Sequence, residues 1–290
     1  RIKQKKEHLF LSNCQTQVTS EKNIFHLLVE KNILRLQWQK ERYMTLKNKI
    51  ESIIKEAVAS PCTKTRYREP LVGYASASDP IFDEMKKIIG PHHLHPKEIF
   101  PEAKTVVSFF LPFEKELVKQ NRQSPGPINE WIRAKSETDC LIGEINEKLK
   151  AELAEEYIRS VVPGITFDYK SKGFDVAWSH KSAAYASGLG TFGVHHMLIT
   201  KAGCAGRFGT LLISAKIPPT LRPNEEFCRY KKGEKCFVCV NRCPAGALSA
   251  RGLDKEKCYR QLQENASAFP ELNQFACGKC ATGPCALRSL

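Results

Sequence analysis

Residues 236–244 read Cys-Phe-Val-Cys-Val-Asn-Arg-Cys-Pro, so three cysteines are spaced by two and three residues and the last precedes proline. This spacing forms the second half of the bacterial ferredoxin motif, in which the cysteine before proline binds a different cluster from its neighbours. The last 63 residues contain eight cysteines: Cys228, Cys236, Cys239, Cys243, Cys258, Cys277, Cys280 and Cys285. Eight thiolates make two sets of four, and the pattern predicts two 4Fe-4S clusters.

Zinc and disulfides are the alternative uses of these cysteines. Two structural zinc ions would also take four thiolates each, and Cys277-x2-Cys280 alone suits a zinc knuckle equally well. The x3-Cys-Pro ending favours iron and sulfide. Disulfides are disfavoured because the other four cysteines are scattered and the first residues lack the pattern of a secretory signal, so we expect a reduced, cytoplasmic location. Cys228 departs most from the motif, because seven residues separate it from Cys236 where ferredoxins have two.

Length and composition are typical of a core domain with a small second unit: 290 residues, of which 42% are hydrophobic. No stretch is long and apolar enough to predict a membrane span. The formal charge of +14 would suit a polyanionic partner, but a solvated basic surface explains it equally well.

The first 43 residues contain no methionine, and the first methionine is Met44. Thr45 is placed to cap a helix whose apolar residues, from Leu46 to Val58, lie on one face. We therefore expect residues 1–43 to be an extension and the domain to begin near Met44. Deleting the extension should leave folding and cluster content unchanged, which soluble yield and iron analysis would measure; loss of soluble protein would contradict this.

Residues 44–220 alternate short apolar strands with amphipathic helices, which predicts a mixed α/β or α+β domain. The Pro218-Pro219 pair marks its junction with the cysteine-rich residues 221–290. The predicted elements are strands at Leu71–Ala75, Thr105–Leu111 and Phe208–Ile213, a helix from Asp79-Pro80 to Gly90, and a long helix from Ile128 to Ser160.

A glycine segment, Gly188-Leu-Gly190-Thr-Phe-Gly193, follows a predicted helix. A dinucleotide fold needs strand, glycine turn and helix in that order, so that interpretation is disfavoured. Two readings stay open: the glycines let backbone amides approach a bound group, or they form a helix C-cap and tight turn. Of the nearby residues, His195 and His196 are expected to pack beside the segment, and Cys204 is expected to be a small buried residue.

These motifs together resemble the epoxyqueuosine reductase family over roughly residues 65–290. Pro101-Glu-Ala-Lys-Thr-Val-Val107 resembles a family strand, Ala186-Ser-Gly-Leu-Gly-Thr-Phe-Gly193 resembles the family's glycine signature, and Phe208-Gly-Thr-Leu-Leu212 resembles another strand. The cysteine order is similar too. The superfamily also holds the reductive dehalogenases.

The resemblance implies a nitroreductase-like α+β domain followed by a small ferredoxin-like domain with two clusters, and a cobalamin-dependent reductase. It implies a first cysteine set of Cys228, Cys236, Cys239 and Cys285, and a second cysteine set of Cys243, Cys258, Cys277 and Cys280. The implied corrinoid-binding residues are Lys181, Gly188, Leu189, Gly190 and Gly193. The electron donor would be a low-potential ferredoxin or flavodoxin.

The proton donor has two candidates of equal rank. The resemblance places a carboxylate shortly before the glycine segment, near Asp175, and a carboxyl there would need a raised pKa to donate at neutral pH. His180 titrates near physiological pH and is the other candidate, although a histidine on a helix surface is common without any role.

The implied substrate is a small molecule or a modified nucleoside. The chain ends five residues after Cys285, whereas queuosine-forming family members continue into a helical-repeat region that grips tRNA, so tRNA is a weaker candidate partner. The alternative function is a corrinoid-free electron-transfer protein that serves a partner enzyme.

Overall fold

The computed structural model describes residues 37, 41, 43–61, 63–164, 167–168, 175–272 and 274–290, with the backbone alone at 167, 168 and 175. The chain divides into two compact units, Arg1–Asn48 and Lys49–Leu290. The described residues 43–48 of the first unit are helical. The domain borders expected at residues 43 and 220 stay predictions, and most of the expected extension lies outside the described residues.

The second unit interleaves helices, strands and short turns. The helices are α1 (residues 43–59, which begins in the first unit), α2 (Ile81–Ile89), α3 (Pro96–Ile99), α4 (Lys115–Gln123), α5 (Asn129–Glu155), α6 (His180–Ala186), α7 (Val238–Asn241) and α8 (Lys255–Ala268). The strands are β1 (Leu71–Ser76), β2 (Thr105–Pro112), β3 (Ser160–Val161), β4 (Phe167–Asp168), β5 (Asp175–Val176), β6 (Gly190–Phe192), β7 (Leu198–Thr200), β8 (Gly206–Ile213), β9 (Leu248–Ser249) and β10 (Gly252–Leu253). Two 3-10 turns, Lys279–Thr282 and Pro284–Ala286, follow α8.

The central sheet has the order β1-β2-β8-β3, and every neighbouring pair is antiparallel. All eight residues of β2 are buried, as expected for a central strand rich in valine and phenylalanine. An antiparallel sheet with separate helices is an α+β fold, so this part of the prediction is confirmed. The finer description as nitroreductase-like and ferredoxin-like domains stays a prediction.

One face of this sheet is covered by α2 and α6. Val106 of β2 and Leu212 of β8 pack with Phe82 of α2 and Ala183 of α6 around the buried Trp178. Because side chains alternate along a strand, the odd-numbered residues of β2 point to the opposite face. The contacts on the first face hold α6, which carries the predicted site residues His180 and Lys181, in a fixed place.

The predicted strands β1, β2 and β8 are confirmed, and the start of α2 is confirmed by an Asp79 carboxylate that accepts from the Ile81 amide at 3.0 Å. Gly90 follows α2 with a φ of 138°, a conformation that suits glycine.

Thr45 was expected to cap α1 and does not. It lies inside the helix, where its hydroxyl donates to the Glu41 carbonyl one turn earlier at 2.9 Å.

The long helix α5 ends at Glu155, five residues before the predicted end at Ser160. Tyr157 has a φ of 59°, and the Ile158 amide donates back to the Leu153 carbonyl at 2.9 Å, which closes the helix. Ser160 then pairs with Ile213 as part of β3. Ser160, which the sequence pattern assigned to the helix, therefore belongs to the edge strand of the central sheet.

The cysteine-rich C-terminal residues are tied to α4 and its C-terminal end through backbone carbonyls. Arg122 of α4 donates to Thr282 O at 2.6 Å and to Gly283 O at 3.0 Å. The buried Lys279 ammonium donates to the carbonyls of Asn121 and Ser124. These contacts hold the last cysteines against the α+β core.

Among the helices described, none has the length and apolar character needed to cross a membrane.

Candidate functional site

The first cysteine set gathers around Cys239 of α7. Burial, together with the charges of Cys285, Cys228 and Cys236, raises the pKa of Cys239 to about 11. Like charges act in this way only at short range. Four thiols separated by up to 57 residues in sequence are thus close neighbours in space.

The second cysteine set gathers around Cys280 in the first 3-10 turn. Burial, together with the charges of Cys277, Cys258 and Cys243, raises the pKa of Cys280 to about 12. The pKa of Cys258 is raised by burial and then by Cys277 and Cys243. Negative charge is therefore costly at Cys239, Cys258 and Cys280 until a cation compensates it.

Short local elements position these thiols. Cys258 lies in the first turn of α8, where the Asp254 carboxylate caps the helix by accepting from the Lys257 amide at 3.0 Å. Cys243 follows α7, and its sulfur accepts from the Ala247 amide at 3.2 Å. The charge of Cys243 also raises the pKa of Cys258 and Cys280, so the cysteine before the proline groups with the second set.

Two residues outside the eight lie against Cys285. The His195 Nε2 atom is 3.3 Å from the Cys285 sulfur, and the Cys204 sulfur is 3.9 Å from it. The hydrogen bonds from Cys204 and His195 lower the pKa of Cys285, whereas the pKa of Cys204 is raised by its contact with Cys285 and by burial. Of this pair, Cys285 is the more acidic thiol and Cys204 the less acidic one.

Lys181 links α6 to the second cysteine set. Its ammonium donates to the His196 carbonyl at 3.1 Å. Burial lowers the pKa of Lys181, and the charges of Cys280 and Cys258 oppose that shift. The predicted corrinoid contact Lys181 therefore lies near thiols of the second set.

His180 faces the sheet. Its Nδ1 atom is 2.6 Å from the Thr210 hydroxyl, and the same hydroxyl accepts from the Trp178 indole at 3.0 Å. The Thr210 hydroxyl oxygen accepts from Trp178, and the hydroxyl proton then donates to Nδ1 of His180. Since Nδ1 is the acceptor, the ring proton is on Nε2. Burial lowers the pKa of His180 to about 4, with Arg207 adding to the shift and Asp139 opposing it. A histidine with this pKa is neutral at pH 7 and a poor proton donor there.

The pKa of His180 predicts a pH-dependent stability. The unfolded chain binds a proton near pH 6.5 and the folded ring only near pH 4, so the stability present above pH 6.5 is lost as the pH falls toward 4. At pH 5 the loss from this residue should be about 2 kcal/mol. Urea unfolding under anaerobic conditions at pH 7.5 and pH 5 would measure it, and His180→Gln should reduce the difference.

Part of the pH dependence should survive in His180→Gln. Burial also lowers the pKa of His93, whose ring is 1% exposed and whose two nitrogens lack hydrogen-bond partners within the described part of the chain. A variant that keeps the full wild-type pH difference would contradict the role assigned to His180.

The glycine segment packs against its own chain. A Cβ at Gly190 would lie 1.9 Å from the Ile199 carbonyl oxygen, and one at Gly188, where φ is 74°, would lie 2.7 Å from the Leu221 carbonyl oxygen. At Gly193 a Cβ would meet the His195 ring at 2.6 Å. Leu189 is 7% exposed and belongs to the core. The helix C-cap and tight turn explain these residues without a ligand.

The backbone of Asp175 pairs with Asp168 across β4 and β5, but its side chain lies outside the described residues. Its role as proton donor stays a prediction. The expected small buried residue Cys204 is confirmed, with no exposed surface. Neither its contact with Cys285 nor that of His195 was predicted, because no spacing in the sequence joins residues so far apart.

Comparison with known proteins shows which proteins this chain resembles in sequence and in fold. No protein-family model matches the chain. It is 24% identical over 225 residues to the epoxyqueuosine reductase of Staphylococcus aureus (strain NCTC 8325 / PS 47), an alignment that covers 71% of this chain and 56% of that protein. A solved structure of selenomethionine-labelled epoxyqueuosine reductase aligns with a TM-score of 0.55 and 17% identity, covering 84% of this chain and 66% of that one.

A further solved structure is that of an epoxyqueuosine reductase with an epoxyqueuosine-modified tRNA-Tyr stem loop. It aligns with a TM-score of 0.53 and 16% identity over 84% of this chain and 66% of that one. The predicted similarity to epoxyqueuosine reductases is thus confirmed in sequence and in fold. The chain spans little more than half of the S. aureus protein and 66% of the solved structures.

Proposed function

We propose that this chain is an oxidoreductase of the epoxyqueuosine reductase type. It carries two 4Fe-4S clusters that pass single electrons to a corrinoid, and the substrate is a small molecule or a modified nucleoside. The observation that carries the proposal is the grouping of eight thiols into two sets of four, each with a thiol whose pKa is raised by the other three. The similarity in fold to epoxyqueuosine reductases supports it.

The spacing of the thiols favours clusters over zinc. Four sulfurs around one zinc ion lie about 3.8 Å apart, because each Zn–S bond is about 2.3 Å long. Within neither cysteine set do three sulfurs lie within 4.8 Å of one another in the described structure. A four-iron cluster suits wider spacing, because each thiolate binds a different iron atom.

Electrons would leave through the second cluster. Lys181 follows His180 on α6, and its charge is coupled to Cys280 and Cys258. The buried Lys279 lies next to the same set, where Cys277 acts on its pKa. A reduced cluster carries additional negative charge, and two nearby ammonium groups lower the cost of adding it. The second set is therefore the one that connects the clusters with α6.

A bound corrinoid would supply the metal centre at which the difficult reduction occurs. Of its five predicted contacts, the four in the glycine segment pack against the chain itself and do not form an open cradle. Lys181 is the remaining predicted contact. This packing favours the second candidate function, a corrinoid-free electron carrier that serves a partner enzyme, and the two candidates need a direct test.

Retention of cobalamin separates the two functions. Anaerobically reconstituted protein should carry about eight irons, as two four-iron clusters require, and should retain about one corrinoid equivalent through gel filtration. Corrinoid absorbance and iron analysis of the same fractions would measure both. Eight irons without corrinoid would establish the electron carrier instead, and protein without iron would contradict both candidates.

A tRNA substrate is a further candidate, because one of the similar structures is an epoxyqueuosine reductase with a tRNA stem loop and this chain has a formal charge of +14. Binding through phosphate contacts would weaken steeply as salt is raised. Filter binding of a tRNA stem loop at several salt concentrations would measure the slope. If no binding occurred at low salt, tRNA would be excluded as the substrate.

A further inference from the structure

Three potential ligand atoms converge where the second 3-10 turn meets the β7–β8 connection. They are the sulfurs of Cys285 and Cys204 and the Nε2 atom of His195, and all lie within 4.8 Å of one another. Within the described part of the chain no other group of three such atoms is this compact. Only Cys285 belongs to the eight cysteines of the two sets, so His195 and Cys204 need a separate explanation.

The protonation of His195 follows from its other ring nitrogen. Nδ1 accepts a hydrogen bond from the Met197 amide at 3.1 Å, so Nδ1 carries no proton. A neutral ring then carries its proton on Nε2, which lies 3.3 Å from the Cys285 sulfur. The ring is 4% exposed, so water does not compete freely for this donor. His195 is therefore a donor aimed at the Cys285 sulfur.

Cys204 is held against the same sulfur by its backbone. The Cys204 amide donates to the Cys285 carbonyl at 3.0 Å, and the Ala205 amide donates to the Ala286 carbonyl at 3.0 Å. The Cys204 thiol has no exposed surface, and its sulfur lies 3.6 Å from the His195 Nε2 atom. Because Nε2 carries the ring proton, it cannot accept from this thiol, and the acceptors in reach are the Cys285 sulfur at 3.9 Å and the Ala281 carbonyl at 3.8 Å. A charged thiolate is the stronger acceptor, so the S–H donates to Cys285 when that residue binds iron.

We propose that His195 and Cys204 are positioning residues that donate hydrogen bonds to the Cys285 thiolate and thereby raise the reduction potential of the first cluster. The inference rests on the proposed function, because it requires that Cys285 binds a cluster. Reduction adds negative charge to the cluster, and donors on a cluster sulfur stabilise the reduced form more than the oxidised form. No bond to iron is assigned to either residue.

The test compares variants that keep a donor with variants that remove it. Cys204→Ser and His195→Gln keep a donor, whereas Cys204→Ala and His195→Phe remove it. The reconstituted full-length protein is titrated with EPR detection, and the first cluster is the signal that Cys239→Ser eliminates. In each donor-free variant the ratio of reduced to oxidised first cluster at fixed potential should fall about tenfold, which is about 59 mV for one electron. Each donor-keeping variant should stay closer to the wild type.

The second cluster is the internal control, and its midpoint should not move in any of the four variants. The inference is overturned if the first midpoint is unchanged in both donor-free variants, or if donor-keeping and donor-free variants shift alike. Loss of four irons from both Cys204 variants, with folding retained, would make Cys204 a ligand and would also overturn it. If Cys204→Ala alone fails to fold, the His195 pair decides. A wild type without cluster signals would instead refute the proposed function, and this inference with it.

Discussion

Replacing Cys239 with serine should remove the first cluster and abolish reduction. Cys239 is surrounded by the three other thiols of its set, and a cluster that loses one of four thiolates is exposed to water and to iron loss. Iron should fall from about eight to about four atoms per chain. Iron and sulfide analysis of anaerobically purified protein, together with the EPR spectrum of the reduced state, would measure it.

The grouping of the two sets can be tested by combining substitutions. The double variant with Cys239→Ser and Cys285→Ser should lose no more iron than the single variant Cys239→Ser, because both substitutions remove the first cluster. Cys239→Ser with Cys243→Ser should lose all iron, although these two residues are four positions apart in sequence. The matched control is Cys140→Ser, because Cys140 is an exposed cysteine outside both sets. If the Cys239 and Cys243 substitutions together cost only one cluster, the assignment of the ligands is wrong.

The central sheet could be predicted because its strands are locally specified. Runs of β-branched and aromatic residues such as Thr105–Leu111, closed by a proline, favour a buried strand wherever they occur. The end of α5 could not be predicted in this way. The helix closes at Glu155, and Ser160 then pairs at the sheet edge with Ile213, a partner that is 53 residues away in sequence.

The same distinction applies to the site. The predicted grouping of the cysteines relied on a local spacing and on a resemblance, both of which are visible in the sequence. The donors around Cys285 are not visible there, because Cys204 is brought to it by backbone hydrogen bonds across 81 residues. The glycine segment was open to two readings for a related reason. Its sequence shows that side chains are excluded but not which atoms exclude them.

Gly190→Ala should destabilise the protein severely, and this result would separate the two readings of the glycine segment. The added Cβ would lie 1.9 Å from the Ile199 carbonyl oxygen, which is a backbone atom of β7, and β7 is paired with β6. Backbone cannot swing aside as a side chain can, so the hairpin must separate. We expect a cost of about 3 kcal/mol or more, measured by anaerobic urea unfolding.

Gly143→Ala is the matched control for this change. Gly143 lies inside α5, and a Cβ there would meet nothing within 4 Å, so alanine should stabilise the helix by roughly 0.5–1 kcal/mol. If the glycines instead served mainly to admit a corrinoid, Gly190→Ala would keep wild-type stability and iron content and would lose only cobalamin retention. A variant that unfolds at lower urea while Gly143→Ala unfolds at higher urea would assign Gly190 to the packing of its own hairpin, and corrinoid contacts would then have to come from other residues, of which Lys181 is the first to test.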